Sequence, residues 1–236
     1  MGGGEQLQRS AQRTPGVAAT RAGSVPAMSP PSATAARAVR AARRAAALRG
    51  LPPRVALFHA RAHRLATRTQ DVFSLRSAAR PSELRELLTL AGDHDAVVEL
   101  GTGTAWTAIA LALADPARRV LSYDPVVRPE RDRYLALAGP AVRGRITLLA
   151  EPGEQAAPAP GSVGFVFVDS AHDRTSTVAT VAAWRAALRP GGVMAFHDYD
   201  HPDWPGVREA VEELELEGEV TGGLFVWRPP VAATRG

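Results

Sequence analysis

From residue 96 onward, short runs rich in β-branched and aromatic residues alternate with stretches whose apolar positions recur every three or four residues. That alternation is the pattern of a parallel sheet wrapped by helices. The strand-like runs are 96–100 (AVVEL), 119–123 (RVLSY), 145–149 (RITLL), 163–168 (VGFVFV) and 192–196 (GVMAF). Helices are expected near 104–114, 130–138, 175–188 and 206–216, with only a weak one in the proline-rich stretch 152–160. Two short runs over 219–227, around Gly222 and Gly223, read as a closing hairpin. The predicted class is α/β: a doubly wound, mostly parallel sheet with a C-terminal antiparallel hairpin.

Upstream the pattern changes. Val55, Leu57, Phe58, Leu65, Val72, Phe73 and Leu75 suggest one or two helices packed onto the main domain, and after Pro81 a helix runs to about Leu90, with Ser82, Glu83 and Glu86 in its first turn. Residues 1–32 carry hardly any large apolar side chain, so they are expected to be disordered. Ala33–Arg49 has the composition of a helix, ended by Gly50 and Pro52, whose apolar face is mostly alanine. The domain reading is a disordered Ala/Arg-rich leader over 1–50, a helical extension over 51–80, the α/β domain over 81–230 and a tail over 231–236.

Charge sharpens this division. Residues 1–80 hold 14 arginines against Glu5 and Asp71, whereas 81–236 hold 14 arginines against 22 acids, so the net +4 of the 236-residue chain joins a +12 part to a −8 body. There are no cysteines, which excludes disulfides, thiolate metal sites and cysteine nucleophiles. No run of about 18 uncharged apolar residues exists, so a transmembrane helix is not expected, and without a secretory signal the cytoplasm is the expected location.

The first strand leads into Glu99-Leu-Gly101-Thr102-Gly103-Thr-Ala105 and then a helix. Glycines there allow a tight turn and let a ligand lie against N–H groups at a helix N-terminus. A dinucleotide fingerprint needs a third small residue where this chain has Trp106, which argues against a pyrophosphate on the turn. Asp124 ends the second strand, where a carboxylate can accept hydrogen bonds from both hydroxyls of a ribose, and Glu99 at the same edge suits an ammonium or sulfonium ligand. This arrangement resembles the class I S-adenosylmethionine-dependent methyltransferases, over roughly 82–228, with Ala105 in place of the usual third glycine. The resemblance implies a Rossmann-like fold, Glu99, Gly101, Thr102 and Gly103 along the methionine part of the cofactor, Asp124 on the ribose and Glu151 near the adenine.

Strand four ends in Asp169, followed by His172, and strand five ends in Phe196-His197-Asp198. Neighbouring strands lie about 4.8 Å apart, so Asp169 and Asp198 come within reach of one ion, and two such carboxylates call for a cation. Mg²⁺ is the expected divalent metal, with His197 as a third ligand that tilts the site toward Mn²⁺, Fe²⁺ or Zn²⁺. Methyl transfer to oxygen needs the acceptor hydroxyl deprotonated and aligned, and His172 is the candidate base. Asp-x-x-His after strand four with a ligand pair after strand five is similar to the metal-dependent O-methyltransferases of the macrocin O-methyltransferase and cephalosporin hydroxylase-like group. There the first Asp and the pair bind metal and the His is the base; His197 stands here where an acid is usual.

Local alternatives exist for these residues: His197 with Asp198 as a polar loop pair, and His172 as a cap of the next helix, expected to start around Thr175 or Ser176. His201, Asp200 and Asp203 read as a solvated loop, Trp204 or Tyr199 as an aromatic wall over substrate, and Trp184 as core. His59 and His63 share one helical face and read as surface residues. The function expected is S-adenosylmethionine-dependent, metal-assisted O-methylation of a small-molecule hydroxyl, with no membrane or nucleic-acid partner and homo-oligomerisation left open. The rivals are an NAD-linked oxidoreductase and a non-catalytic cofactor- or nucleic-acid-binding protein that uses the arginine-rich arm.

Overall fold

The structure is a computed structural model that describes residues 46–230, together with 38, 39, 42 and 43. The leader up to residue 45, apart from those four positions, and the tail 231–236 lie outside the described residues. The chain divides into two compact units, Met1–Arg40 and Ala41–Gly236, and every element below belongs to the second.

In chain order the elements are α1 (Pro53–Thr69), α2 (Val72–Ser77), α3 (Pro81–Ala91), β1 (Ala96–Leu100), α4 (Trp106–Ala114), β2 (Arg119–Tyr123), α5 (Arg131–Ala138) and the single turn α6 (Pro140–Arg143). They continue with β3 (Ile146–Leu149), β4 (Val163–Val168), α7 (Arg174–Trp184), β5 (Leu188–Phe196), α8 (Pro205–Glu213), β6 (Gly218–Thr221) and β7 (Leu224–Trp227). The sheet order is β3-β2-β1-β4-β5-β7-β6. The first five strands are parallel, and β7 pairs antiparallel with both β5 and β6.

The period-two alternation of the strands splits the core into two layers. Val97, Phe165, Phe167, Val193 and Ala195 pack with Phe58, Trp106, Ile109 and Tyr134 on one face of the sheet. Val98, Val166, Val168, Met194 and Phe196 pack with Tyr123, Trp184 and Val207 on the other. All six residues of β4 are buried, as a central parallel strand covered on both sides requires. Helix α4 is buried from Trp106 through Ala112, so its sequence is apolar all round rather than on one stripe.

Several boundaries differ from the sequence reading. Strand β5 starts at Leu188 rather than 192, and its pairing with β4 shifts register between Val163 and Phe165. The stretch 152–160 forms only a 3-10 turn, Gly153–Gln155. Helix α7 is capped not at Thr175 or Ser176 but by Asp173, whose Oδ1 accepts the Ser176 N–H at 2.9 Å. Gly222 and Gly223 both have positive φ (58° and 89°), the backbone of a tight primed hairpin turn. Residues 46–50, assigned to the leader by composition, are tied to α3, because Arg85 Nη1 donates to the carbonyls of Ala47 and Arg49 at 2.9 and 3.0 Å. His59 is not a surface residue: it is buried, with its ring 5.5 Å from Trp106 in an edge-to-face contact. Its position in the buried stripe Val55, Phe58, His59, Ala62, Ala66 of α1 explains why.

Arg118 is a fully buried charge that serves architecture. Its guanidinium donates to carbonyls of Gly92, His94 and Leu111, which satisfies peptide groups where α3 ends and α4 approaches its end.

Candidate functional site

Register brings the chemistry to one rim. Leu100 pairs with Tyr123 and with Val168, and Val168 pairs with Phe196, so the next residues, Gly101, Asp124, Asp169 and His197, stand side by side past the strand ends. The ladder continues through them: Gly101 N–H donates to Tyr123 O (2.8 Å), Asp124 N–H to Leu149 O (3.0 Å), Asp169 N–H to Leu100 O (2.8 Å) and His197 N–H to Val168 O (2.9 Å). In an open α/β sheet the ligand crevice lies at this edge, where neighbouring strands run to opposite sides. A cavity of about 1290 Å³ occupies it, lined by Glu99, Gly101, Thr102, Gly103, Asp124, Asp169, His172, His197 and Asp198 among others. A single-ligand pocket is typically about 300–1,000 Å³, so there is room for two small molecules together. Glu151 does not join them; it lines a separate cleft with Tyr123 and Trp184, and Pro152, Gly153 and Glu154 reach the main cavity instead.

The turn after β1 is held internally. Gly101 has φ of 104°, and a Cβ there would lie 1.9 Å from the Asp169 carbonyl oxygen, so glycine is required by the approach of β4. The N–H of Gly103 is already donated to Asp124 Oδ2 (2.9 Å) and that of Ala105 to Thr102 O (2.7 Å). Asp124 also accepts from Val126 N–H (2.8 Å) and Arg131 Nη2 (2.8 Å), so three of a carboxylate's roughly four acceptor positions serve the chain itself. Arg131, buried, further donates to the carbonyls of Gly103 and Val126 at 2.7 Å each and so clamps the two loops.

Glu99 faces inward and accepts from the Ser122 hydroxyl, which in turn lies 2.7 Å from Thr102 Oγ1. Burial pushes its carboxyl up to about 8, the Asp169 charge adding to the rise and the Ser122 hydrogen bond opposing it. At neutral pH Glu99 is therefore an uncharged acid, not the anion that the sequence reading expected to face a cationic ligand.

At the other end of the rim, one donor atom from each of Asp169, His172, His197 and Asp198 lies within 4.8 Å of the others. His172 Nε2 is 3.1 Å from Asp169 Oδ1 and 3.4 Å from Asp198 Oδ2, and His197 Nδ1 is 3.1 Å from Asp169 Oδ1 and 3.3 Å from Asp198 Oδ1. Burial opposes ionisation of Asp169 and Asp198, but the two imidazoles outweigh it and hold both carboxyls below their usual range. Burial lowers the His197 imidazole, yet the carboxylates of Asp169, Asp198 and Glu83 around it push it up to about 12. Despite these short distances His197 Nδ1 is buried without a well-directed hydrogen bond among the described residues. A ring nitrogen turned between two carboxylates is a donor set that, once an ion displaces its proton, suits a divalent metal with mixed N/O preference. The site fits a metal on that ground.

Residues 98–199 match the family model described as a methyltransferase domain. Over that segment the chain is similar to methyltransferase domains, and its fold is Rossmann-like. Among curated proteins none matches the sequence. Solved structures share the fold. A Corynebacterium glutamicum protein aligns at 17% identity and TM-score 0.55 over 75% of this chain and 92% of its own. The S-adenosylhomocysteine-bound Podospora anserina methyltransferase PaMTH1 aligns at 16% and 0.54, over 86% and 100%. The TDP-rhamnose 3′-O-methyltransferase CalS11 of calicheamicin biosynthesis aligns at 18% and 0.50, over 63% and 77%.

Residues outside the matched segment also line the cavity. Phe73 on α2 lines the cavity with the Arg128 guanidinium 3.3 Å from its ring centroid. Helix α2 is pinned by Asp71, which accepts from Ser74 Oγ (2.7 Å) and Tyr134 OH (2.6 Å), while Ser74 Oγ and Thr104 Oγ1 lie 2.8 Å apart. Trp204, 44% exposed, lines the same cavity with its ring 5.2 Å from that of His172. Tyr199 instead stacks on Phe225 at 4.8 Å, and Trp184 is fully buried with its N–H donated to Gly153 O. Arg131 and Glu83, both in contact with site residues, were not singled out as site residues from sequence.

Proposed function

We propose that the chain is an S-adenosylmethionine-dependent methyltransferase that methylates a hydroxyl of a small molecule with the help of a divalent ion. The observation that carries this reading is the shared cavity, with Asp124 at one side and the cluster of Asp169, His172, His197 and Asp198 at the other. S-adenosylmethionine supplies the methyl group: the acceptor oxygen forms the new C–O bond as the S–CH₃ bond breaks and its electron pair leaves with sulfur. Asp124 keeps one acceptor position for a ribose hydroxyl, and Gly101, Thr102 and Gly103 form the wall beneath the donor. Neutral Glu99 can give a hydrogen bond from the same wall without repelling or attracting charge.

Asp169, His197 and Asp198 would hold the metal, which when bound supplies the positive charge that lowers the pKa of a coordinated hydroxyl. His172 takes the acceptor proton; its ring lies against Trp204, a cavity-lining residue that gives an acceptor a flat apolar surface. Phe73 and Trp204 add apolar surface to the lining of the same cavity.

The test is a panel of S-adenosylmethionine, NAD and divalent ions read by thermal shift, followed by transfer of a tritiated methyl group to phenols and glycosides. Stabilisation by S-adenosylmethionine, and transfer lost on chelation, is the expected outcome. Stabilisation by NAD alone would overturn the reading.

A further inference from the structure

The two ring nitrogens of His197 face different partners. Nδ1 is turned between Asp169 and Asp198, while Nε2 is 3.6 Å from Oε2 of Glu83, a residue of α3 that precedes the sheet altogether. Glu83 is not a loose surface acid: its side chain is 13% exposed, and the same Oε2 accepts the Arg80 backbone N–H at 2.8 Å, which fixes the carboxylate at the first turn of α3. The hairpin turn closes over it, since a Cβ on Gly223 would lie 3.8 Å from Glu83 Oε1.

We propose that Glu83 is a positioning residue for the metal site: it takes the Nε2–H of His197 and so presents the Nδ1 lone pair to the space between Asp169 and Asp198. The proposal rests on the metal reading above. With an ion between Asp169 and Asp198 the Nδ1 proton would be displaced, and the one N–H of the neutral ring would lie at Nε2, where Glu83 is the carboxylate it faces. Carboxylate partners of this kind orient metal-binding histidines and raise their donor strength, and losing one weakens metal binding about 10–100-fold. A nitrogen held in this way also shifts preference from Mg²⁺ toward Mn²⁺ and Co²⁺.

The experiment uses the full chain and measures Mn²⁺, Co²⁺ and Mg²⁺ binding by calorimetry, the absorption spectrum of bound Co²⁺, and S-adenosylhomocysteine affinity. Glu83→Leu is expected to weaken Co²⁺ and Mn²⁺ about 10–100-fold, to alter the Co²⁺ spectrum, and to leave S-adenosylhomocysteine affinity within about twofold. Glu83→Gln, which keeps an acceptor oxygen and the Arg80 contact, falls between and covers the case in which the leucine variant does not fold. In a His197→Asp background, Glu83→Leu should change metal affinity no further. An equal loss in that background assigns Glu83 a merely structural role, and no loss in the wild-type background removes the role entirely; either overturns the proposal. If the wild-type chain binds none of the three ions, the metal reading itself falls, and the Glu83 proposal with it.

Discussion

Replacing Glu99 by glutamine exchanges a buried carboxyl for a neutral group of the same shape, so it isolates one proton. The folded chain holds that proton up to about pH 8, whereas the unfolded chain releases it near the ordinary value of 4.5. Between these values the native state binds more protons than the unfolded state, and stability falls as pH rises, by about 1.4 kcal/mol per pH unit. Across the whole window this amounts to something on the order of 5 kcal/mol, an upper figure because the denatured chain retains some structure. The glutamine variant lacks this dependence. Urea unfolding of both proteins at pH 5, 6, 7, 8 and 9, at constant ionic strength and without ligands, should show the variant gaining on the wild type up to about pH 8 and holding its gain above it. Groups common to both chains cancel in the difference. A difference that does not vary with pH would refute the claim that Glu99 is uncharged in the folded protein.

Other outcomes follow from the same geometry. Asp124→Ala should lower S-adenosylhomocysteine affinity at least tenfold by calorimetry, and unchanged affinity would remove Asp124 from the donor site. Asp169→Asn and Asp198→Asn should each reduce divalent-ion affinity by roughly 100-fold or more, beyond what an outer-shell change does; intact binding in either would exclude that residue as a ligand. Tyr134→Phe should destabilise the chain by about 1–3 kcal/mol in denaturant titration, because it withdraws the donor from ionised, buried Asp71. Removal of residues 1–45 should leave methyl transfer intact. Extending the cut to residue 50 should lower the melting temperature, since Leu48 packs against Leu51, Val55 and Leu84.

The rim was legible in the sequence because each of its residues follows a strand whose end is marked by hydrophobic alternation, and parallel register then sets those ends level. Asp124, Asp169 and Asp198 needed only that logic to line one cavity. Glu99 was not legible in this way: both faces of β1 pack in core, Val97 on one and Val98 with Leu100 on the other, so parity does not say which way its carboxyl turns. Asp173 with Ser176 three residues on carried an N-cap signal that the expected start of α7 passed over. Glu83 and Arg131 were different. Their contacts, His197 for one and Gly103, Asp124 and Val126 for the other, depend on how α3 and α5 dock on the sheet, and no spacing along the chain encodes that. Their charges read equally well as solvated helix termini.

The contact between Gly101 and the Asp169 carbonyl ties the Asp124 side of the cavity to the Asp169 and Asp198 side through the main chain. A methyl group added at position 101 would meet that oxygen at 1.9 Å, so even alanine forces the β1 turn and the end of β4 apart. The two sides of the cavity thus share one stretch of main-chain wall, so a side chain added at position 101 would be felt as a displacement of Asp169.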